Sequence, residues 1–348
     1  MSIKLFVGGE DITQLVASVS TSGAHAECAR TLSAEILQPV GETNIPVVAL
    51  TEGKPVVFDG DGQYFVGLLV SASRSTSAST VSITAKDMGT YVKRNKIVSK
   101  IKNATPDQAA ATLCAAAGIP VGDLAKASGI ISRNFINVTL YDAIMTAYTL
   151  GGEKDKNYRI IMDGTNLCVE VCGEDVVGAI RPKANSIDAA YSVDVSQIVT
   201  AVDIYNSDGK LIQTVSGDIT GMGEVHSVVV MSSDKDDAIA SANELLKSGK
   251  IKRKATVQCL GDPNFVTGAA VFVEDTHTGL YGKFYIESDT HTWKNGIYIT
   301  KLSLEWENTM DAKKAGTEIA ASKSKKKSKG SSGNTKDIVM VSPTGEVY

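Results

Sequence analysis

Two histidines and three acidic residues near the end of the chain have the greatest potential for chemistry. His277 and His291 flank a predicted hairpin that also carries Glu274, Asp275 and Asp289. Imidazole and carboxylate groups of this kind could bind a metal ion or work as an acid/base pair. Turns at strand ends are also rich in small polar residues for purely structural reasons. The sequence therefore favours a structural hairpin, with a metal or acid/base site as the alternative.

Cys168 and Cys172 are a second candidate group. They lie in the alternating stretch NLCVEVC, which predicts a strand with both thiols on one face. No second pair follows, so the four ligands of a structural zinc site are not present. The chain has five cysteines, a small and odd number that is typical of reduced thiols rather than of a disulfide framework. We predict no metal site and no cofactor.

Familiar catalytic motifs are absent from the sequence: it contains no nucleophile elbow, no zinc-protease motif and no phosphate-binding loop. Gly221-Met222-Gly223 comes nearest to a dinucleotide-binding loop, but it lacks the third glycine. Two of the 39 acidic residues could act together as in a glycosidase, yet nothing points to a particular pair. We predict that the protein is not an enzyme, and we assign no catalytic residue.

Length and charge restrict the possible partners. The 348 residues are 43% hydrophobic, which is ample for two or three globular domains. The N-terminus has no basic region followed by an apolar run, and no stretch reaches the roughly 18 apolar residues of a membrane span. Residues 311–348 carry eight lysines and four acidic residues, which leaves a net charge of −8 on the rest of the chain. We therefore expect neither membrane association nor specific nucleic-acid binding.

The elements that must position these residues are mainly strands. From residue 3 to about 95, short alternating segments predict antiparallel strands, and Asp59–Gly62 supplies the left-handed conformations of a tight hairpin. Two helices follow. Thr105, Pro106 and Gln108 form a capping signal for the first, and Thr139 caps the second.

Strands return after the helices, interrupted by one helix that Ser233 can cap and Gly249 can end. The chain is thus predicted to be mainly β with an α+β insert and an extended C-terminal tail. Its predicted parts are a first β domain at 1–95, a small α/β domain at 96–185, a second β domain at 186–312, a Lys/Ser-rich linker at 313–335 and a C-terminal peptide at 336–348.

The two β domains share a sequence pattern. The stretch Gly53–Gly67 aligns without gaps on Gly268–Gly282, and each is followed by an apolar strand, a turn and another alternating strand. Two supersecondary units of the same pattern predict an internal duplication.

The segment Gly261–Trp306 carries a more specific pattern: an early Gly-Asp-Pro, a glycine before an apolar strand, Gly-Leu-x-Gly and a His-x-Trp turn. It resembles the C-terminal signature of the PBSX-type prophage hub family, which is related to the phage late control D and baseplate hub proteins. Outside this segment the resemblance is weaker, but it covers most of residues 1–310. The signature residues are Gly261, Asp262, Pro263, Gly268, Gly279, Gly282, His291 and Trp293.

This resemblance implies a structural baseplate hub of a contractile phage tail or tailocin. Such a hub is a homotrimer with two tail-tube-like β-barrel domains in each chain. It joins the tail tube, or a tube-initiator protein, to a trimeric spike, with tape-measure and baseplate wedge proteins as further neighbours. Three chains with two barrels each would form a pseudo-hexameric ring. Synthesis in the bacterial cytoplasm and assembly into the tail particle are implied as well.

The end of the chain predicts a separate binding element. The run Lys323–Lys329 is basic and interspersed with serines, which favours a solvated tether. A short apolar strand follows, for which we hypothesise strand addition to the spike. Its residues are Ile338, Val339, Met340 and Val341.

Two other classes of protein remain as alternatives. The first is a cell-wall hydrolase of the tail tip, which an assay on bacterial cell wall would reveal. The second is a carbohydrate-binding module, which should be rich in surface aromatic residues; two tryptophans and 6% aromatic residues argue against it.

Overall fold

The structure is a computed structural model that describes residues 2–38, 44, 46–75, 77–217, 223–231 and 234–319. Over these residues the chain forms 22 strands and four α-helices, so the predicted mainly β fold class is confirmed. Among the same residues, no helix combines the length and the apolar character needed to cross a membrane.

Seven strands and one short 3-10 helix, Thr13–Leu15, form the first β region. Apolar residues alternate along these strands, and Leu32 and Ile36 are fully buried as a result. The strands are β1 (Ile3–Val7), β2 (Glu10–Asp11), β3 (Val16–Ala24), β4 (Thr31–Leu37), β5 (Pro55–Gly60), β6 (Gln63–Arg74) and β7 (Thr80–Asp87).

A unit of helices and short sheets follows. Its elements are α1 (Gly89–Arg94), β8 (Lys96–Ala104), α2 (Pro106–Ala117), β9 (Val121–Leu124), β10 (Ile131–Thr139), α3 (Leu140–Gly151), β11 (Tyr158–Asp163) and β12 (Asn166–Val171). The predicted caps are confirmed. Thr105 and Gln108 form a capping box on α2, and the Thr139 hydroxyl accepts a 3.0 Å hydrogen bond from the backbone N–H of Asp142 on α3.

The remaining elements return to the β architecture around one insertion. They are β13 (Val176–Ile180), β14 (Ser186–Asp194), β15 (Ala201–Tyr205), β16 (Leu211–Ser216), β17 (His226–Val230), α4 (Lys235–Ser248), β18 (Lys252–Leu260), β19 (Ala270–Asp275), β20 (Leu280–Lys294), β21 (Ile297–Glu305) and β22 (Thr317–Glu318). Strands β15 to β17 form their own sheet and share a small core with α4. The N-cap of α4 is Asp234, whereas the predicted cap Ser233 lies outside the described residues.

Both β regions belong to a single 13-stranded sheet. Its main path runs β14-β18-β21-β20-β3-β4-β7-β6-β5-β1-β2, and β19 and β13 continue from the other end of β20. Strand β20 pairs with β3, from Ser288 opposite Ala24 to Lys294 opposite Ser18. Among the described residues this path does not return on itself, so the two predicted barrels are not closed within one chain. The barrel prediction was wrong in this respect because closure depends on pairings that local sequence patterns do not encode.

The predicted duplication is present in the backbone. Strands β3 to β7 correspond in sheet order and direction to β14, β18, β19, β20 and β21. Gly53 and Gly268, which precede β5 and β19, have φ angles of 84° and 83°. Each donates a 2.8 Å backbone hydrogen bond to the opposite strand, to Leu69 and Ile286 respectively. Two residues with the same left-handed conformation and the same bond occupy corresponding positions.

Two irregularities recur at corresponding positions as well. An extra residue interrupts the β6–β7 register at Val70 and the β20–β21 register at Glu287. Another interrupts β3–β4 at Ala17 and β14–β18 at Ile187. Because β-bulges are specific features of a sheet, their agreement identifies two copies of one unit, which we call the first and second repeats.

The gapless alignment of the two hairpins is wrong beyond the turn. Residues 61 and 62 connect β5 to β6, whereas residues 276–279 connect β19 to β20. The turn of the second repeat is therefore two residues longer. Since Gly67 pairs with Val56, and Phe284 pairs with the corresponding Val271, Gly67 matches Phe284 rather than Gly282.

The C-terminal end of the described chain returns to the α/β unit. The guanidinium of Arg133 donates 3.0 Å hydrogen bonds to the carbonyl oxygens of Ala315 and Gly316. Strand β22 then pairs with β10. Residues 313–319, the beginning of the predicted linker, thus lie against the α/β unit.

Candidate functional site

The functional site best defined by the structure is the junction where β20 of the second repeat pairs with β3 of the first. A buried carboxylate, Asp289, lies at its centre with its side chain fully covered. Arg30 donates two hydrogen bonds to it, at 3.1 and 2.5 Å. The backbone N–H and the hydroxyl of Thr267 donate two more, at 2.7 and 2.6 Å. The junction therefore links three separate parts of the chain through one carboxylate.

The charge of Asp289 is stabilised in this position. Burial alone would raise its pKa, but the polar contact with His291 and the positive charge of Arg30 outweigh burial and hold the pKa well below its usual range. His291 Nε2 lies 3.3 Å from the carboxylate, a close contact without the alignment of a regular hydrogen bond. Asp289 therefore stays ionised and serves as the acceptor that holds the junction together.

Trp293 extends the junction into the core of the first repeat. Its ring stacks on Tyr298 with centroids 4.5 Å apart and meets Phe58 edge-on at 4.8 Å. The indole N–H donates a 3.0 Å hydrogen bond to Asp61, in the turn between β5 and β6. A residue of the second repeat is thus a buried part of the first repeat's core.

The Gly-Asp-Pro sequence of the signature contacts that same turn. The carbonyl oxygen of Pro263 accepts a 2.7 Å hydrogen bond from the side chain of Gln63. Gly261 allows the Tyr298 ring to approach, since a Cβ there would lie 2.1 Å from it. Asp262 orders the loop by accepting a 2.9 Å hydrogen bond from the N–H of Asn264. Pro263 thus contacts the first repeat directly, whereas Gly261 and Asp262 shape the loop that carries it.

The other signature residues divide between the junction and the hairpin. His291 is fully buried and shares a 2.7 Å hydrogen bond with the Tyr298 hydroxyl. The His-x-Trp sequence was predicted as a turn, but it lies inside β20. Gly268 precedes β19, whereas Gly279 and Gly282 belong to the β19–β20 hairpin with φ angles of 76° and 132°. The structure therefore brings six of the eight signature residues to the region of the junction.

The predicted histidine group is not assembled. His277 lies in the turn before β20, whereas His291 lies 11 residues into that strand, about 35 Å further along at roughly 3.3 Å per residue. Glu274 forms an ion pair with Arg181, and only Asp289 remains close to His291. Within the described part of the chain, no group of three or more His, Cys, Asp or Glu side chains could hold a metal ion.

The predicted cysteine pair is buried. All five cysteines are free and buried. Burial raises the pKa of the Cys172 thiol to about 12 and also raises that of Cys168. Thiols with raised pKa values stay protonated at neutral pH and are weak nucleophiles.

Arg30 and Thr267 are junction residues that the sequence did not single out, and Asp61 was identified only as part of a turn. Alternation along β20 could have placed Asp289, His291 and Trp293 on one face. Their partners come from elements up to 259 residues away, and no local pattern predicts that pairing. The predicted partner-binding residues 338–341 lie outside the described residues. The same is true of Gly221, whereas Gly223 is the first residue described after a gap.

A buried junction of this kind holds a two-repeat sheet together, and the match to a known family spans both sides of it. The YQBQ-like family model matches residues 19–305, which include both repeats and the α/β unit. The chain belongs to the YQBQ-like family. Among its relatives, the Bacillus subtilis protein YqbQ is 22% identical, with 88% of this chain and 98% of the relative covered. The phage-like element PBSX protein XkdQ of the same organism is 23% identical with the same coverage.

Solved structures give the same result for the fold of this YQBQ-like protein. The 43 kDa tail protein of prophage MuSo2 from Shewanella oneidensis matches with a TM-score of 0.65 and 15% identity, covering 87% of this chain and 96% of that one. The predicted resemblance to PBSX-type prophage proteins is thereby confirmed. The likeness to the MuSo2 protein shows that the two chains share a fold.

Proposed function

We propose that the protein is the structural hub of a contractile phage-like tail baseplate, a homotrimer whose six repeats form a pseudo-hexameric ring between the tail tube and the central spike. The observation that carries this proposal is the duplication inside one chain. Two copies of one sheet unit share a left-handed glycine and two bulges at corresponding positions. Three such chains present six similar units, which matches a three-fold spike to a six-fold tube.

The relatives support the setting of this proposal. XkdQ is a protein of the phage-like element PBSX, and the MuSo2 protein is a tail protein. A chain with the same fold and family fits a particle of the same kind. Synthesis in the bacterial cytoplasm, assembly into the tail particle, and contacts with the tape-measure and wedge proteins belong to the same proposal.

The buried junction supports a structural rather than an enzymatic mechanism. The side chains of Asp289 and His291 are fully buried, so a substrate could not contact them without unfolding the sheet. Their hydrogen bonds fix the relative position of the two repeats. A rigid spacing between repeats is what a ring needs in order to transmit the force of tail contraction.

The stoichiometry of the purified full-length chain tests this proposal. Light scattering of the chain alone, and with the tube and spike proteins, should give a trimer that binds one spike trimer. A chain that stays monomeric and binds neither protein would refute the hub function.

We also propose that residues 338–341 add as a strand to the spike, with the preceding Lys/Ser-rich segment providing reach. Because residues 313–319 lie against the α/β unit, the test should remove only residues 320–348. A second variant keeps the full length and replaces residues 338–341 by serine. Both variants should lose at least tenfold in spike affinity, and unchanged affinity in the serine variant would exclude this role.

A further inference from the structure

The pairing of β3 with β20 joins the first repeat to the second within one chain. The repeat correspondence assigns a counterpart to each of these strands. β14 occupies in the second repeat the position of β3, and β6 occupies in the first repeat the position of β20. If the contact between repeats occurred again between chains, β14 would meet β6.

Both counterpart strands have an unpaired edge among the described residues. β14 pairs only with β18 and ends the path of the large sheet. Seven of its nine residues are exposed, including Tyr191 at 39% and Val193 at 51%. The second half of β6, from Ser71 to Arg74, pairs only with β7 on one side. An exposed edge of this length invites strand pairing, so it needs a partner or protection.

We infer that β14 of one chain pairs antiparallel with the second half of β6 in the neighbouring copy, repeating between chains the β3·β20 contact seen within each chain. This inference rests on the homotrimer of the proposed function. The register follows from the bulges and the strand pairs that the repeats share. Between chains, this register places Val193 opposite Ala72 and Tyr191 opposite Arg74. Within the chain, the corresponding pairs are Gly23 with Asp289 and Thr21 with His291.

The chemistry of the side chains at these positions favours the pairing, because Val193 and Ala72 are both apolar and Val193 is 51% exposed. Within the chain, Gly23 leaves the space that Arg30 and Asp289 need, since a Cβ at residue 23 would lie 2.6 Å from the guanidinium. The corresponding pair between chains would be Val193 and Ala72, in which a larger apolar residue replaces glycine and a small one replaces the aspartate. The buried ion pair of the internal junction is thereby exchanged for an apolar contact.

The geometry of this contact is head to tail, because the two edges are different surfaces of one chain. Such a contact forms either a closed ring or an open filament, depending on the rotation between neighbours. A chain that contributes two repeats already contains one of the two kinds of junction in the ring. Three chains would supply three internal junctions, and the β14·β6 contact would supply the other three.

Disulfide cross-linking of the full-length protein tests the register. The native thiols are buried, so they give little background. The double variant Ala72→Cys, Val193→Cys should form covalent dimers and trimers on mild oxidation, whereas each single variant should not form a ladder. The matched control is the double variant Ala72→Cys, Ala189→Cys. Ala189 lies on the same face of β14 as Val193, but four residues away, so its thiol would be roughly 13 Å out of register with residue 72.

The results separate this inference from the proposed function. A trimer by light scattering whose A72C/V193C variant cross-links no more than the control overturns the strand pairing but leaves the hub intact. A monomer in every mixture overturns both. A second variant avoids cysteine chemistry: Val193→Lys should leave the monomer folded and weaken the trimer at least tenfold. Val98→Lys, at a residue 79% exposed in the α/β unit, should not; equal effects of the two lysine variants would also refute the pairing.

Discussion

Replacing Asp289 by asparagine should destabilise the fold by about 3 kcal/mol at neutral pH. The substitution keeps the shape of the side chain but removes the charge that Arg30 and Thr267 satisfy. Breaking one partner of a buried ion pair costs about 3–5 kcal/mol. The Arg30 side chain is 24% exposed, so water can partly solvate the positive charge that the substitution leaves unpaired. The lower end of this range therefore applies.

The cost should depend on pH with a defined sign. The pKa of Asp289 is lowered by folding, so the unfolded chain takes up a proton before the folded chain does. The stabilisation from its charge is therefore fully present above the unfolded pKa of about 4 and is lost as pH falls further, by up to roughly 1.4 kcal/mol per pH unit. At pH 3 the difference between wild type and Asp289→Asn should be about 1 kcal/mol smaller than at pH 7.

Urea unfolding of both proteins at the two pH values measures these differences. Glu274→Gln is the matched control, because its ion pair with Arg181 is exposed on both sides and should contribute at most about 1 kcal/mol. A loss below 1 kcal/mol for Asp289→Asn, or a loss that grows as the pH is lowered, would refute the role assigned to this carboxylate.

Three further predictions concern the repeats and the thiols. Trp293→Ala should lower the free energy of unfolding by about 3–5 kcal/mol in urea, since it empties a fully buried site; a loss under 1 kcal/mol would contradict that packing. Gly268→Ala should destabilise more than Gly53→Ala. Both residues have positive φ, but only Gly268 would also bring a Cβ within 2.5 Å of Arg159, so equal losses would argue against the contact. All five thiols should resist an aromatic disulfide reagent at pH 8 until urea unfolds the chain, and rapid reaction in the native state would contradict their burial.

Local features of the fold were predictable from the sequence. The caps of α2 and α3 depend on residues within one turn of each helix, so Thr105 and Thr139 were identified correctly. The Asp61-Gly62 turn was predicted for the same reason, and both residues have positive φ. Signals of this kind depend on side chains that contact their own backbone.

Non-local features were not predictable in the same way. The junction depends on Arg30 and Asp289, which are separated by most of the chain. The pairing of β3 with β20 joined two regions that had been predicted as separate barrels. The duplication itself was visible, because its hairpins share glycines and apolar positions. The gapless sequence alignment failed beyond the turn because the β19–β20 turn has two extra residues, and no local sequence pattern shows where they are inserted.

The position of Trp293 in the core of the first repeat has a consequence for synthesis. A ribosome makes the strands of that repeat first, but their core stays incomplete until the tryptophan emerges, after most of the protein has been translated. Until then the nascent first repeat would expose apolar surface and depend on chaperones or on slow collapse. Completion of this core thus couples folding of the first repeat to nearly full translation, and a chain terminated before Trp293 would lack a central residue of that core.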